Sequence, residues 1–248
     1  MKKPLAIDLY CGLGGWAEGF LAEGYQVIGF DIEKHDYGTG SYAGQLVLQD
    51  VTTLCGWQFK DAAVIVASPP CQAYSYRAMP WKRAKALPPP DNTLFNACFR
   101  IQREASEAAG RYIPMIVENV KGAEKYVGHA NWHFGSFYLW GDIPALMPFS
   151  RSRGKVTGQN WSRFAQTGEV SPHWRMEGLK LAGNNSPRMW SERRVQRLCD
   201  ANRDSSNDFY LAPSGSKRRK AASAQIAKIP FPLAQHIARC FAVESTSS

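Results

Sequence analysis

Apolar residues in the first 150 positions come in short runs separated by stretches with helical spacing, a pattern that predicts a mostly parallel sheet flanked by helices. Runs at Leu5–Leu9, Gln26–Asp31, 63–67 and 115–118 read as strands. Between the first two, residues 16–23 read as a helix ended by Gly24, so the chain opens as a β-turn-α-β unit. Pro88-Pro89-Pro90 makes 84–91 a loop, after which 93–111 has the composition and spacing of a helix. Beyond Ser150 the periodicity fades into Arg, Ser, Gly, Asn and Trp. That part is expected to be irregular until a closing helix at 233–242, entered through Pro230 and Pro232.

Composition narrows the class. The 248 residues are 44% hydrophobic, enough to fill the core of an enzyme-sized globule. No run approaches the roughly 18 apolar residues of a membrane span, and the opening Met-Lys-Lys-Pro-Leu-Ala-Ile-Asp meets an acid before a leader's apolar core could develop. A soluble cytoplasmic protein with no membrane partner is the expectation. The six cysteines are scattered, without a CxxC pair, so reduced thiols are expected, with neither a disulfide framework nor a metal site.

The net charge of +9 is concentrated. Residues 151–228 hold 16 basic and 6 acidic side chains, a balance of +10, whereas the remainder holds 14 and 15, a balance of −1. A basic segment beside a neutral body suits phosphate-backbone binding, because Lys and Arg that displace counterions supply non-specific affinity for nucleic acid. A basic surface kept for solubility is the plainer alternative, and charge does not separate the two.

Two stretches carry candidate chemistry. Asp8-Leu9-Tyr10-Cys11-Gly12-Leu13-Gly14-Gly15 puts three glycines in a strand-to-helix turn, where backbone can approach a nucleotide-like cofactor. Such turns are also simple tight connections. Asp31 ends the next strand, where a carboxylate can accept both ribose hydroxyls, and Asp50 follows Leu46-Val47-Leu48, where it could accept from an exocyclic amine. Either aspartate equally suits a cap or a turn. In the second stretch, Val64-Ile65-Val66-Ala67-Ser68-Pro69-Pro70-Cys71-Gln72 reads as a buried strand entering a stiff corner that presents a cysteine at the carboxyl end of the sheet. A nucleophilic thiolate is one reading of Cys71, an inert buried thiol the other.

Together these stretches resemble the cytosine-5 DNA methyltransferase family. Asp91-Asn92-Thr93-Leu94-Phe95 is similar to that family's helix-starting motif, Glu118-Asn119-Val120 to its Glu-Asn-Val signature, and Arg151-Ser152-Arg153 to the Arg-x-Arg that follows, all in the family's order. The resemblance implies an α/β, Rossmann-like S-adenosylmethionine-dependent methyltransferase fold with a small irregular basic lobe. It divides the chain into a catalytic and cofactor-binding domain at 1–153, a target-recognition region at 154–223 and a returning segment at 224–248. It implies S-adenosyl-L-methionine as cofactor, bound by Tyr10, Cys11, Gly12, Leu13, Gly14, Gly15, Asp31, Ile32, Asp50 and Pro70.

By the same resemblance Cys71 adds to carbon 6 of a cytosine flipped from duplex DNA, Glu118 engages ring nitrogen 3, and Arg153 with Arg151 stabilises the adduct. Gln72, Ser75, Arg77, Lys82, Arg83 and Lys85 would contact DNA, the stretch 76–90 acting as an arm that closes over it. A monomer in a prokaryotic or phage-infected cell is expected, serving restriction-modification or phage-type modification.

The match thins towards the end. Arg188-Met189-Trp190-Ser191 is weakly similar to the penultimate motif, and in the last motif Ala227-Lys228 replaces the usual Gly-Asn. Only 154–187 is left for target recognition, which predicts a short or degenerate target sequence, although Trp161, Phe164, His173 and Trp174 equally suit a mini-core. Three readings compete with the leading one: an RNA cytosine-5 methyltransferase, a non-catalytic DNA-binding relative, and an enzyme attaching a larger group to the same carbon.

Overall fold

The computed structural model describes residues 3–36, 41–75, 88–147, 220, 224–225 and 227–242. The chain divides into two compact units, Met1–Phe149 with Ala227–Ser248, and Ser150–Ile226. All elements described below belong to the first.

Seven strands form one sheet: β1 Leu5–Leu9, β2 Gln26–Asp31, β3 Gln45–Leu48, β4 Val64–Ala67, β5 Met115–Asn119, β6 Trp132–Phe134 and β7 Phe137–Gly141. Their order is β3-β2-β1-β4-β5-β7-β6. The first five are parallel, and β7 runs antiparallel to both β5 and β6. Val64, Ile65, Val66 and Ala67 are all buried, as a central strand covered on both faces requires. Leu9 is level with Phe30 on one side and Ala67 on the other, and Ala67 with Val117. The carboxyl ends of β1, β2, β4 and β5 therefore open along one edge. The chain leaves β1 for β2 on one side and returns to β4 on the other, so the topological switch point, where open α/β sheets bind ligands, lies between β1 and β4.

Helix α1, Gly15–Ala22, follows the glycine turn and packs against the closing helix α4, Phe231–Cys240. Their backbones come so close that a Cβ on Gly19 would lie 2.4 Å from Ala234 Cβ, so only glycine fits there. Lys228, one of the two residues departing from the usual Gly-Asn, pairs with Glu18 of α1. Helix α2, Thr93–Ala109, lies on the other face with Phe95, Cys98, Ile101 and Ala105 buried. Its sequence-predicted end at 111 is two residues late, because Gly110 takes a left-handed φ of 63° and stops it. Helix α3, Glu124–Val127, follows β5 after one 3-10 turn.

The expected strands and three main helices are present with small shifts of boundary. Strand β3, the short helix α3 and the β6–β7 hairpin are elements the hydrophobic pattern did not predict. Among the described residues no helix is long and apolar enough to cross a membrane, and no cluster of His, Cys, Asp and Glu is arranged for a metal ion.

Candidate active site

At the end of β1 the chain turns sharply. Tyr10 adopts φ 55° and Gly14 φ 74°. A left-handed aromatic residue costs about 1–2 kcal/mol, and it is held by Cys11 N donating to Phe30 O at 3.1 Å and Gly14 N to Cys11 O at 2.8 Å. The Tyr10 hydroxyl donates to Leu94 O at 3.0 Å, tying the turn to α2. Gly12 N donates to Asp31 Oδ2 at 2.9 Å, so the glycine turn and the acid at the end of β2 form one unit across 19 residues.

Asp31 is buried, yet it stays ionised. Burial pushes its carboxyl up, but hydrogen bonds from His35 and from the backbone amides of Gly12 and Glu33 outweigh that and hold it below the usual carboxylate range. His35 Nε2 lies 3.3 Å from Oδ2, and the same contact holds the imidazole above its ordinary value. Beside Asp31, Ile32 is 74% exposed, and Leu48 is also exposed at the end of the adjacent β3. Asp50 caps the 3-10 turn Val51–Thr53, its Oδ1 accepting from Thr52 N and Thr52 Oγ1 at 2.8 Å each. These bonds hold its carboxyl below the usual range, and the residue is exposed. Ionised carboxylates at the end of β2 and just beyond β3, with the exposed aliphatic side chains of Ile32 and Leu48 on the same two segments, suit the hydroxyls, amine and flat ring of a nucleoside.

The second half of the edge carries the cysteine. Trp16 Nε1 donates to Ser68 Oγ at 3.0 Å where β4 ends, and the amide of Asn119 on β5 donates to Pro69 O at 2.9 Å. Pro70 is exposed, Cys71 half-buried, Gln72 exposed and Ser75 half-buried. Tyr74 N closes the turn by donating to Cys71 O at 3.0 Å. Glu118 is buried on β5, one residue before the asparagine that pins Pro69. Cys71 thus lies in the turn that follows β4, and Glu118 near the carboxyl end of the neighbouring β5.

Burial pushes Cys11 and Cys98 well above the ordinary thiol range, leaving them neutral and inert. Arg77, Lys82, Arg83, Lys85, Arg151 and Arg153 lie outside the described residues. Several contributors were invisible to sequence reasoning: His35 on Asp31, Asn119 on Pro69, Asn92 on Tyr74, and Tyr42, whose hydroxyl donates to the buried Asp8 Oδ2 at 2.9 Å. Asn119 and Asn92 had a signal, their places in the Glu-Asn-Val triplet and in Asp91-Asn92-Thr93-Leu94-Phe95.

A sheet of this order with a single reversed strand, a glycine turn after β1 and an acid ending β2 defines a Rossmann-like S-adenosylmethionine-dependent methyltransferase fold. Residues 5–129 match the model of the family described as C-5 cytosine-specific DNA methylase. The chain belongs to that family, whose cofactor is S-adenosylmethionine.

Comparison with curated proteins found no match. Among solved structures, the Dnmt2 methyltransferase of S. pombe is 18% identical over 51% of this chain and 37% of its own, with a TM-score of 0.36. A mutant DNMT2 of Spodoptera frugiperda is 18% identical over 61% of this chain and 54% of its own, also at 0.36. The methyltransferase EhMeth of Entamoeba histolytica is 12% identical over 97% of this chain and 98% of its own, at 0.45. The chain thus spans well under two thirds of the length of the two Dnmt2 proteins.

Proposed function

We propose that this protein transfers a methyl group from S-adenosylmethionine to carbon 5 of cytosine in DNA, with Cys71 as covalent nucleophile. One observation carries the reading: a half-buried cysteine on a proline corner is pinned by Asn119 to the strand that carries a buried glutamate, at the ligand-binding edge of the sheet.

Carbon 5 of cytosine is a poor nucleophile until an addition to carbon 6 raises its electron density. The Cys71 thiolate adds to carbon 6, and Glu118 protonates ring nitrogen 3 and so neutralises the charge pushed into the ring. The cofactor supplies an electrophilic methyl group on a sulfonium. Once carbon 5 carries the methyl, a base removes its proton, the Cys71–carbon 6 bond breaks, and Glu118 recovers the nitrogen proton. Arg153 and Arg151 orient the ring through its carbonyl. Asp31 and Asp50 hold the ribose and the adenine amine, with Tyr10, Ile32 and Pro70 lining the pocket around the turn Cys11-Gly12-Leu13-Gly14-Gly15.

The reacting ring is inaccessible in a duplex, so the cytosine is flipped out. The excess of basic residues over 151–228, with Gln72, Ser75, Arg77, Lys82, Arg83 and Lys85, contacts the DNA. In this reading 1–153 and 224–248 make the catalytic domain, and 154–223 recognises a short target sequence. The protein acts as a cytoplasmic monomer in restriction-modification or phage-type modification.

The test is transfer of a labelled methyl group from S-adenosylmethionine to unmethylated mixed-sequence duplex DNA, with nucleoside digestion of the product and Cys71→Ser in parallel. Label in 5-methylcytosine that vanishes in Cys71→Ser is the expected result. Label on structured RNA and none on DNA would move the substrate to RNA. No transfer by a folded protein that binds the cofactor would leave a non-catalytic DNA-binding relative.

A further inference from the structure

The turn carrying Cys71 is held to the β5 segment at two places, upstream and downstream of the cysteine. Upstream, Asn119 donates to Pro69 O at 2.9 Å. Downstream, the Tyr74 hydroxyl donates to Asn92 Oδ1 at 2.8 Å, and the Nδ2 of the same amide donates to Tyr126 O at 3.1 Å. We propose that Tyr74, Asn92 and the Tyr126 carbonyl form a positioning clamp that sets the Cys71 thiol relative to Glu118. The proposal rests on the roles given to those two residues above.

Tyr126 belongs to α3, which follows β5 after the 3-10 turn Lys121–Ala123, so both holds refer the cysteine turn to the chain segment that presents Glu118. The hold at Pro69 fixes the turn upstream of the cysteine. The second, five residues on and closed by the Tyr74 N to Cys71 O bond, fixes it downstream. The Asn92 amide is used at both ends, acceptor towards Tyr74 and donor towards Tyr126, a pair of roles that neither aspartate nor alanine can fill. Asn92 is itself fixed at the start of α2, where Asp91 Oδ1 accepts from Thr93 N at 2.8 Å.

The Tyr74 ring is 3% exposed and packs in the core, its centroid 6.2 Å from that of Tyr126, which would explain a phenylalanine equally well. The hydroxyl is what packing does not explain. Nucleophile and acid must reach carbon 6 and nitrogen 3 of one ring at the same time, and a displacement of about 1 Å costs on the order of a hundredfold in rate.

Tyr74→Phe keeps the ring and removes only the hydroxyl. Asn92 and Tyr126 line an open groove of about 380 Å³, so water can reach the released amide and the variant keeps its fold. Two readouts are taken on the full chain: amide hydrogen exchange at residues 71–75, and kcat with KM for S-adenosylmethionine. Exchange about tenfold faster, kcat about tenfold or more lower, and KM and melting temperature near wild type are expected. Asn92→Ala should reproduce these effects, and the double variant should add little to them.

Wild-type exchange in both single variants would overturn the clamp, and so would unchanged kcat in Tyr74→Phe. Faster exchange in Tyr74→Phe beside a wild-type protein inactive on DNA and RNA would uphold the hold on the turn and sink methyl transfer instead.

Discussion

Asp8→Asn should remove a strong pH dependence from the stability of the sheet. Asp8 lies in β1 without solvent exposure, its Oδ2 accepting from Tyr42 and its Oδ1 without a hydrogen-bond partner. Burial is the main cause that pushes its carboxyl from an ordinary 3.8 up to about 8. The Tyr42 bond pulls it down, the nearby charge of Asp31 pushes it further up, and the Ala17 backbone exerts a weak downward pull.

Between pH about 4 and 8 the folded protein therefore keeps a proton that the unfolded chain has lost. The contribution to stability is complete below pH 4 and is lost as pH rises through the folded value, at about 1.4 kcal/mol per pH unit. Across the window this amounts to roughly 6 kcal/mol, a large part of the total stability of a small domain. Asparagine keeps the acceptor for Tyr42 and cannot ionise. Its amide lacks an acceptor at every pH, an offset of about 1–3 kcal/mol that leaves the slope untouched.

Urea unfolding of both proteins at half-unit steps from pH 5 to 9 measures the difference. The stability of Asp8→Asn relative to wild type should climb through the window and level off above pH 8. A difference independent of pH would refute the neutral buried carboxyl.

Three other substitutions probe two parts of the edge and the packing of α1 on α4. Glu118→Gln should lower kcat about 10²–10⁴-fold, with S-adenosylhomocysteine affinity unchanged by calorimetry; equal losses in both would point to a structural glutamate. Asp31→Asn removes charge-assisted hydrogen bonds of about 1.5–3 kcal/mol and should weaken S-adenosylhomocysteine binding roughly ten- to a hundredfold, while wild-type affinity would take the ribose away from Asp31. Gly19→Val forces atoms into the Ala234 backbone of α4, 2.5 Å from where its Cβ would sit, and should cost 1–3 kcal/mol or more in thermal unfolding, leaving the Cys71 turn intact.

The central strand Val64–Ala67 was legible because burial on both faces demands an unbroken apolar run, and α2 because its apolar residues recur at helical spacing. The β6–β7 hairpin was not, since three- and five-residue aromatic strands are too short for alternation to register. Its connecting Gly135-Ser136, with Gly135 at φ 60°, is a hairpin signal that goes unread when the flanks are not recognised as strands.

By itself the chain determined most of the central elements, the glycine turn, the proline-held cysteine and the concentration of basic charge, because each is read along the chain without knowing what packs against it. Tertiary structure alone decided which groups meet: Gly12 with Asp31, Pro69 with Asn119 fifty residues on, Tyr74 with Asn92, and Tyr42 with Asp8. Strand order sets those pairings, and no local periodicity encodes it. A polar side chain shows its partner only once burial has removed water as the alternative.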